Sequence, residues 1–245
     1  MPIFRLSSTI EFPPPELAEP DGLLAVGGDL SVQRLLEAYQ RGIFPWYTEG
    51  DPLLWWSPAP RLILLPQEFH LPKRLARSIK KHNFTVTADT AFSQVVEQCA
   101  QFRGKNREQT WITADMKKAY CRLHELGYAH SIECWHRSML AGGLYGIALD
   151  RVFYGESMFS NVKDSSKIAL HALVKHAEQL NIKLIDCQVR TEHLCGFGAR
   201  EVSRKHFQKM LQEYIRTMAP QKKWRLQKTD KEVIGHADAC QETRK

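Results

Sequence analysis

The sequence predicts an α+β protein in which a small N-terminal lobe, residues 1–61, precedes a larger domain, residues 62–224, and a polar tail, residues 225–245. Two observations support this class. Proline, glycine and tryptophan are concentrated in the lobe, whereas helical and strand-like segments alternate after it with few prolines. Three successive strand-like segments are also joined by turns too short for parallel pairing. We therefore expect antiparallel strands and exclude a doubly wound fold.

The composition is that of a globular protein with a hydrophobic core. Hydrophobic residues make up 43% of the 245 positions, and no stretch approaches the roughly 20 apolar residues of a membrane-spanning helix. The N-terminal segment lacks the pattern of a secretory signal, so we expect a cytoplasmic protein. Six cysteines without a CxxC pair favour reduced thiols over disulfides or a zinc site. We expect neither metal nor cofactor.

The formal net charge of +7 favours a polyanionic partner, because clustered lysines and arginines gain free energy when they release the counterions of phosphates. Proteins that never bind nucleic acid often carry a similar charge. The charge therefore does not by itself distinguish a nucleic-acid-binding protein from other classes.

The N-terminal lobe is expected to consist mainly of loops around one short helix. Proline-rich segments at residues 12–22 and 45–61 flank an amphipathic stretch. Ser31 is suited to cap a helix there, and Gly42 is suited to end it, because glycine adopts the left-handed conformation without strain.

The larger domain is expected to contain six strands and six helices in mixed order. Strand-like segments occupy residues 61–65, 84–89, 130–136, 140–149, 151–159 and 183–189. Helical segments occupy residues 71–82, 91–101, 114–127, 166–180, 191–198 and 204–218. Gly127 is placed to end the third of these helices. Beyond Trp224 we expect little order.

Several short motifs occur in order along the chain. They are GLLAVGGDLS, YQRGIFPW and WWSP in the lobe, then TWIT, HSIE, GGLYG, GESMFS and LIDCQV in the larger domain. Together, over about residues 20–210, they resemble the bacterial leucyl/phenylalanyl-tRNA–protein transferase family. The resemblance implies a two-domain protein whose larger domain has a GNAT-like acyltransferase fold. It also implies transfer of Leu, Phe or Met from aminoacyl-tRNA to proteins that begin with Arg or Lys, which marks them for N-end rule degradation.

The resemblance assigns Asp186 and Gln188, on the LIDCQV strand, to the acceptor side of the reaction. Aminolysis of an ester needs no cofactor, so positioning should contribute most, on the order of 7 to 11 kcal/mol. A carboxamide is too weakly basic to hold a proton, so we interpret Gln188 as the acceptor that orients the attacking amine.

Asp186 lies two residues from Gln188, hence on the same predicted strand face, and would stabilise the positive charge. Glu156 is the other candidate base, or a partner for the acceptor's cationic side chain. The alternative is that all three are strand-end polar groups in an ordinary network. Strand alternation predicts that Cys187 points away from this site, which argues against a thiol nucleophile.

The resemblance also assigns the aminoacyl-tRNA end. Trp46 and Trp111 match aromatic positions at the terminal adenosine, where a base stacked on an indole gains about 1 to 3 kcal/mol. A tryptophan in a proline-rich loop is, however, more often a packing residue.

Leu144, Phe153, Leu170 and Ile185 match the apolar pocket for the transferred side chain, although the family pattern leads us to expect methionine in place of Leu144. Such a pocket discriminates one methylene by only ~1 to 3 kcal/mol, so modest selectivity is expected. Without the resemblance, each of the four is interpreted as an ordinary core residue.

The body of the tRNA is expected along a basic helix face formed by Lys73, Arg77, Lys80 and Lys81. Phosphate contacts position a nucleic acid without reading its sequence, which suits an enzyme that accepts several tRNAs. The alternative is a solvated charged face.

Two other functions remain open. An acetyl-CoA-dependent N-acetyltransferase would need a glycine-rich loop after the central strand, and the segment NVKDSSK at residues 161–167 has no glycine. A non-catalytic tRNA-binding protein would use the same basic helix and tryptophans, but it would transfer nothing. We expect a monomer in each case.

Overall fold

The computed structural model describes residues 3–81, 84–105 and 110–226, which form seven α-helices and two β-sheets. The helices are α1 (Val32–Gln40), α2 (Lys73–Lys81), α3 (Phe92–Lys105), α4 (Ala114–Glu125), α5 (Ser165–Gln179), α6 (Glu192–Cys195) and α7 (Arg204–Tyr214). The strands are β1 (Phe4–Leu6), β2 (Leu23–Gly27), β3 (Phe44–Pro45), β4 (Leu54–Trp56), β5 (Arg61–Leu64), β6 (Phe84–Ala88), β7 (Ala129–His136), β8 (Met139–Leu149), β9 (Val152–Ser160), β10 (Leu184–Gln188) and β11 (Arg200–Val202). The prediction of mixed helices and sheets is confirmed.

Loops make up most of the described residues of the N-terminal lobe, as expected, but the lobe also contains a four-stranded sheet of order β1-β2-β4-β3, which was not predicted. Its strands have only two to five residues and are separated by prolines and glycines, so no alternating pattern marks them in the sequence. The predicted helix is confirmed as α1. The Ser31 hydroxyl accepts the Arg34 backbone N–H at its start, and Gly42 has φ +70° just after its end.

The larger sheet has seven strands in the order β11-β5-β10-β9-β8-β7-β6. Strands β7, β8 and β9 form the expected antiparallel meander. Strand β10 lies parallel to β9, after the chain has crossed over through α5, and antiparallel to β5 on its other side. The sheet therefore brings the GESMFS and LIDCQV motifs side by side.

Strands β9 and β10, which are neighbours in the sheet, each contain a bulge, and the two bulges lie side by side. In β9, Gly155 and Ser157 pair with consecutive residues of β8, so Glu156 is an extra residue in the ladder. In β10 the register shifts between Asp186 and Gln188, so Cys187 is extra, and Gln188 takes a φ of +63°. Such bulges bend a strand and redirect its side chains. Here the two bulges redirect side chains of the GESMFS and LIDCQV motifs at adjacent positions in the sheet.

The core has two parts, one on each face of the larger sheet, because successive strand residues alternate between them. Tyr154 belongs to the part that the lobe, α3, α4 and α7 cover, whereas Phe153 belongs to the part that α2 and α5 cover. The lobe therefore packs directly on one face of the sheet. A domain boundary near residue 61 stays a prediction.

Of the predicted polar tail, residues 225–245, only Arg225 and Leu226 lie within the described residues. None of the helices in the described part of the chain is long and apolar enough to cross a membrane.

Candidate active site

An apolar cavity of about 260 Å³ lies beside the bulges of β9 and β10. We call it the side-chain cavity. Its walls include Leu144, Phe153, Leu170 and Ile185, each at most 3% exposed. These residues come from β8, β9, α5 and β10, so only the tertiary fold brings them together. Their assignment to an amino acid side chain stays a prediction, but they do line one cavity.

A second cavity, of about 200 Å³, lies between the lobe and the larger sheet, and we call it the indole cavity. Trp46, next to β3, and Trp111, just before α4, both line it. Trp46 is 43% exposed, while Trp111 is 8% exposed. One indole is therefore open to an incoming ligand, and the other forms a fixed wall.

The two cavities adjoin and share four wall residues, three of them polar. Glu156, Gln188, Val189 and Thr191 line both of them. The structure therefore brings the tryptophans and the apolar residues to opposite sides of one carboxylate and one carboxamide.

Glu156 is buried among neutral hydrogen-bond donors. The Tyr120 hydroxyl donates to Oε2 at 2.6 Å, and Gln188 Nε2 donates to Oε1 at 3.2 Å. The Tyr39 hydroxyl lies 2.8 Å from that of Tyr120 and extends the network. Burial raises the pKa of Glu156 to about 7, although the hydrogen bonds from Tyr120 and Tyr39 oppose this shift. This carboxyl group can therefore exchange a proton near neutral pH.

Asp186 is fully buried and has a cationic partner. Arg61 donates to both its oxygens, at 2.8 and 2.7 Å, and the Gln188 backbone N–H donates to Oδ1 at 2.9 Å. The Arg61 guanidinium also lies over the rings of Phe44 and Phe207, at 4.9 and 4.7 Å from their centroids. Asp186 is absent from the residues that line either cavity. The structure therefore places the side chains of Glu156 and Gln188 at the cavities, whereas the Asp186 carboxylate contacts Arg61 and the Gln188 backbone.

Two expectations about β10 are wrong for one reason. Asp186 and Gln188 do not share a strand face, and Cys187 lines the side-chain cavity instead of pointing away from it. The bulge interrupts the alternation on which both expectations depended. Burial, followed by the charge of Asp186, raises the pKa of the Cys187 thiol well above its usual range. A protonated thiol is a poor nucleophile, so a cysteine mechanism is disfavoured on this ground instead.

The basic residues of α2 lie apart from these cavities. Lys73 and Arg77 are exposed on the helix, while the side chains of Lys80 and Lys81 fall outside the described residues. Arg77 lines a surface groove of about 430 Å³ together with Arg74 and Lys163. Helix α2 and the turn before α5 therefore both contribute cations to one groove.

Sequence reasoning missed several residues of the site. Arg61 carried a signal, because a charged residue at the start of an apolar strand requires a partner. Tyr120 and Tyr39 carried none, because both fit the apolar face of an amphipathic helix. Their hydroxyl groups become significant only when α1 and α4 meet over β9.

Comparison with known proteins agrees with this arrangement of motifs. The sequence profile described as leucyl/phenylalanyl-tRNA protein transferase matches residues 63–212, and the profile of its N-terminal domain matches residues 28–59. A leucyl/phenylalanyl-tRNA–protein transferase of Syntrophobacter fumaroxidans is 54% identical over 91% of this chain and 96% of its own length. Its counterpart from Desulfotalea psychrophila is 52% identical over 92% of this chain and 100% of its own length.

Among solved structures, the C-terminal domain of a putative lysylphosphatidylglycerol synthetase from Agrobacterium fabrum aligns with 80% of this chain and 60% of its own. Its TM-score of 0.39 and its 7% identity are too low to bear on the fold. The sequence matches, by contrast, cover both the lobe and the larger domain at 50% identity or more. The chain therefore belongs to the leucyl/phenylalanyl-tRNA protein transferase family.

Proposed function

We propose that this protein transfers Leu or Phe, and also Met, from aminoacyl-tRNA to the N-terminal Arg or Lys of acceptor proteins, and so tags them for N-end rule degradation. The observation that carries the proposal is the junction of two cavities at Glu156 and Gln188. An aminoacyl ester has an apolar side chain on one side of its carbonyl and an adenosine on the other. The side-chain cavity suits the first, and the indole cavity suits the second.

The proposed attack begins with orientation of the acceptor's α-amine. Gln188 Nε2 donates to Glu156, which leaves the carboxamide oxygen available to accept an N–H of the amine. This contact would direct the nitrogen lone pair at the ester carbonyl. A new C–N bond then forms, the ester C–O bond breaks, and the proton that the amine loses is passed on to the leaving ribose oxygen of the tRNA.

Glu156 is the group best suited to take the proton that the amine loses. A base is most effective when its pKa is close to the working pH, and burial raises the pKa of Glu156 to about 7. The carboxyl group also lies where both cavities meet, within reach of the reacting atoms. A cationic acceptor side chain nearby would further favour its ionised form.

Asp186 is better explained as a positioning residue than as a base. It holds the Gln188 backbone N–H while Arg61 holds its own two oxygens. This arrangement supports the positive φ of Gln188, which a non-glycine residue adopts only under such constraint. Asp186 would therefore act through the orientation of the Gln188 side chain.

We propose that the tRNA body lies along the exposed cations of α2, with Lys73 and Arg77 among the described side chains and Lys80 and Lys81 next along the helix. Arg74 and Lys163 would extend the same surface. These contacts would position the tRNA without reading its sequence.

We also propose that the seven-stranded sheet has a GNAT-like acyltransferase fold. The parallel pair β9 and β10, joined through α5 within an otherwise antiparallel sheet, supports this. Because charged tRNA is used in the cytoplasm, the proposed reaction favours that location, and we expect the protein to act as a monomer.

A transfer assay tests the proposal directly. The protein is mixed with tRNA carrying radiolabelled leucine and with a peptide that begins with Arg, and label is expected to enter the peptide. The matched control is the same peptide with an acetylated N-terminus, which has no free amine and should stay unlabelled. Protection of the ester without any transfer would indicate a tRNA-binding protein instead. Transfer from acetyl-CoA to the same peptide would indicate an N-acetyltransferase.

A further inference from the structure

The chain continues past α7 as a segment without helix or strand, residues 218–226, which is nevertheless held on the larger domain. The Gln221 backbone N–H donates to the Gly127 carbonyl at 2.8 Å, and its side chain donates to the Asp150 carbonyl at 3.1 Å. The Tyr128 hydroxyl donates to the Met218 carbonyl at 3.0 Å. Backbone held at successive points in this way is a fixed part of the structure.

Trp224 is the most strongly anchored residue of this segment. Its side chain is 3% exposed, and its backbone N–H donates to Asp89 Oδ2 at 2.7 Å. The same carboxylate accepts the Ser131 N–H at 2.8 Å and lies 2.7 Å from His130 Nδ1. Asp89 therefore connects the C-terminal segment to β7 through these hydrogen bonds.

The indole of Trp224 packs against three aromatic rings. It stacks on His130, with centroids 4.2 Å apart, and it meets the edge of His176 at 5.1 Å. Its third neighbour is Phe153, at 5.6 Å. Ring contacts of this kind fix orientation as well as bury area.

Phe153 connects this anchor to the side-chain cavity, because its ring forms part of the cavity wall. Gly146 also lies close to that ring, since a Cβ added there would be 2.5 Å from Phe153 Cζ. The Phe153 ring is therefore in contact with both the Gly146 backbone and the Trp224 indole. Of these two neighbours, Trp224 has the side chain whose truncation leaves space for the ring.

We propose that Trp224 is a positioning residue that sets the size of the side-chain cavity through Phe153, and thereby sets the preference among transferred amino acids. This inference rests on the proposed function. When Trp224 is truncated, the Phe153 ring can move back into the vacated space. The cavity then enlarges, and the larger phenylalanine side chain is favoured over leucine.

The test compares kcat/KM for Phe-tRNA and Leu-tRNA on one peptide that begins with Arg. Trp224→Ala is expected to raise the Phe to Leu ratio by about threefold to tenfold, within the range by which apolar pockets discriminate. Trp224→Leu, which fills part of the space, should give a smaller rise and keeps the test available if the alanine variant does not fold. Trp224→Phe, which keeps an aromatic ring and vacates the least space, should stay closest to the wild-type ratio.

The matched control is Ile215→Ala, a truncation just after α7 in the core on the opposite face of the larger sheet from Phe153. It should lower stability without changing the ratio. Folded Trp224→Ala and Trp224→Leu proteins with the wild-type ratio would overturn the inference, as would an equal change in the control. If the wild-type protein transferred neither amino acid, the proposed function itself would fail, which is a distinguishable result.

Discussion

Two buried carboxylates on neighbouring parallel strands have opposite electrostatic surroundings. Asp186 on β10 is held by the Arg61 guanidinium, while Glu156 on β9 is held by a phenol and an amide. A cation compensates the buried charge in the first case. At Glu156, neutral hydrogen-bond donors compensate the buried charge only in part, so its pKa rises to about 7. The group that a buried carboxylate contacts, and not its burial alone, therefore identifies the carboxylate that exchanges protons.

The largest effect is expected from a variant that breaks the ion pair between Arg61 and Asp186. Arg61→Met leaves Asp186 buried without its cation, and we expect the free energy of unfolding to fall by about 3 to 5 kcal/mol. Urea unfolding of the variant and the wild type measures this loss. The double variant Arg61→Met with Asp186→Leu should recover much of it, because no uncompensated charge remains. Equal losses in the single and double variants would contradict this account of the pair.

The next effect concerns the titrating carboxylate. Glu156→Gln removes the proposed base, and we expect kcat to fall by about 100-fold with little change in KM for Leu-tRNA. In the wild-type protein the base is the ionised form, so kcat should rise with pH through about 7. That rise should disappear in the variant. A rise of the same midpoint in Glu156→Gln would assign it to another group.

The same pKa makes a prediction about stability. The pKa of Glu156 is raised in the folded protein, from 4.5 to about 7, so folding favours the protonated form. Its contribution is fully present below about pH 4.5 and is lost as pH rises through 7. Glu156→Gln has no such loss, so its stability relative to the wild type should increase between about pH 5 and pH 8. Urea unfolding at several pH values measures the difference, and a constant difference would contradict it.

A smaller change sharpens the comparison by altering one neutral donor. The Tyr120 hydroxyl bond lowers the pKa of Glu156, so Tyr120→Phe should move the rise in kcat to higher pH. Removal of a hydrogen bond worth ~1 kcal/mol should raise this pKa by about 0.7, so at pH 7 we expect about a threefold lower rate. Tyr214→Phe makes the same chemical change on α7 and should leave the profile in place. A shift to lower pH would reverse the proposed role of the hydroxyl.

The smallest effect concerns charges that water already screens. Substitution of Lys73, Arg77 and Lys80 by Gln should raise KM for charged tRNA. The slope of log KM against log salt concentration should also fall by about 0.7 to 0.9 for each phosphate that is no longer neutralised. The measurement is KM between low and high salt. The matched control neutralises Lys118, Arg122 and Lys175, three solvent-accessible cations on α4 and α5. An unchanged slope in the first variant would count against the basic helix.

Local patterns predicted much of the fold. The meander of β7, β8 and β9 followed from alternating apolar runs with short turns, and α1 followed from Ser31 and Gly42 at its ends. The four-stranded sheet of the lobe could not be predicted in this way, because strands as short as β3 contain too few residues for any period to appear. The bulge at Cys187 was missed for a related reason, since period-2 reasoning assumes an unbroken ladder.

The sequence by itself determined the family, the order of most elements, and the motifs that supply a carboxylate, a carboxamide, two indoles and an apolar wall. These are properties of residue type and spacing along the chain. Only the tertiary structure decided that Glu156 faces both cavities while Asp186 is closed off by Arg61. The physical reason is that a carboxylate's role depends on the charges and dipoles within a few ångströms of it, and here those come from α1, α4 and β5, which are remote in sequence and meet only in the fold.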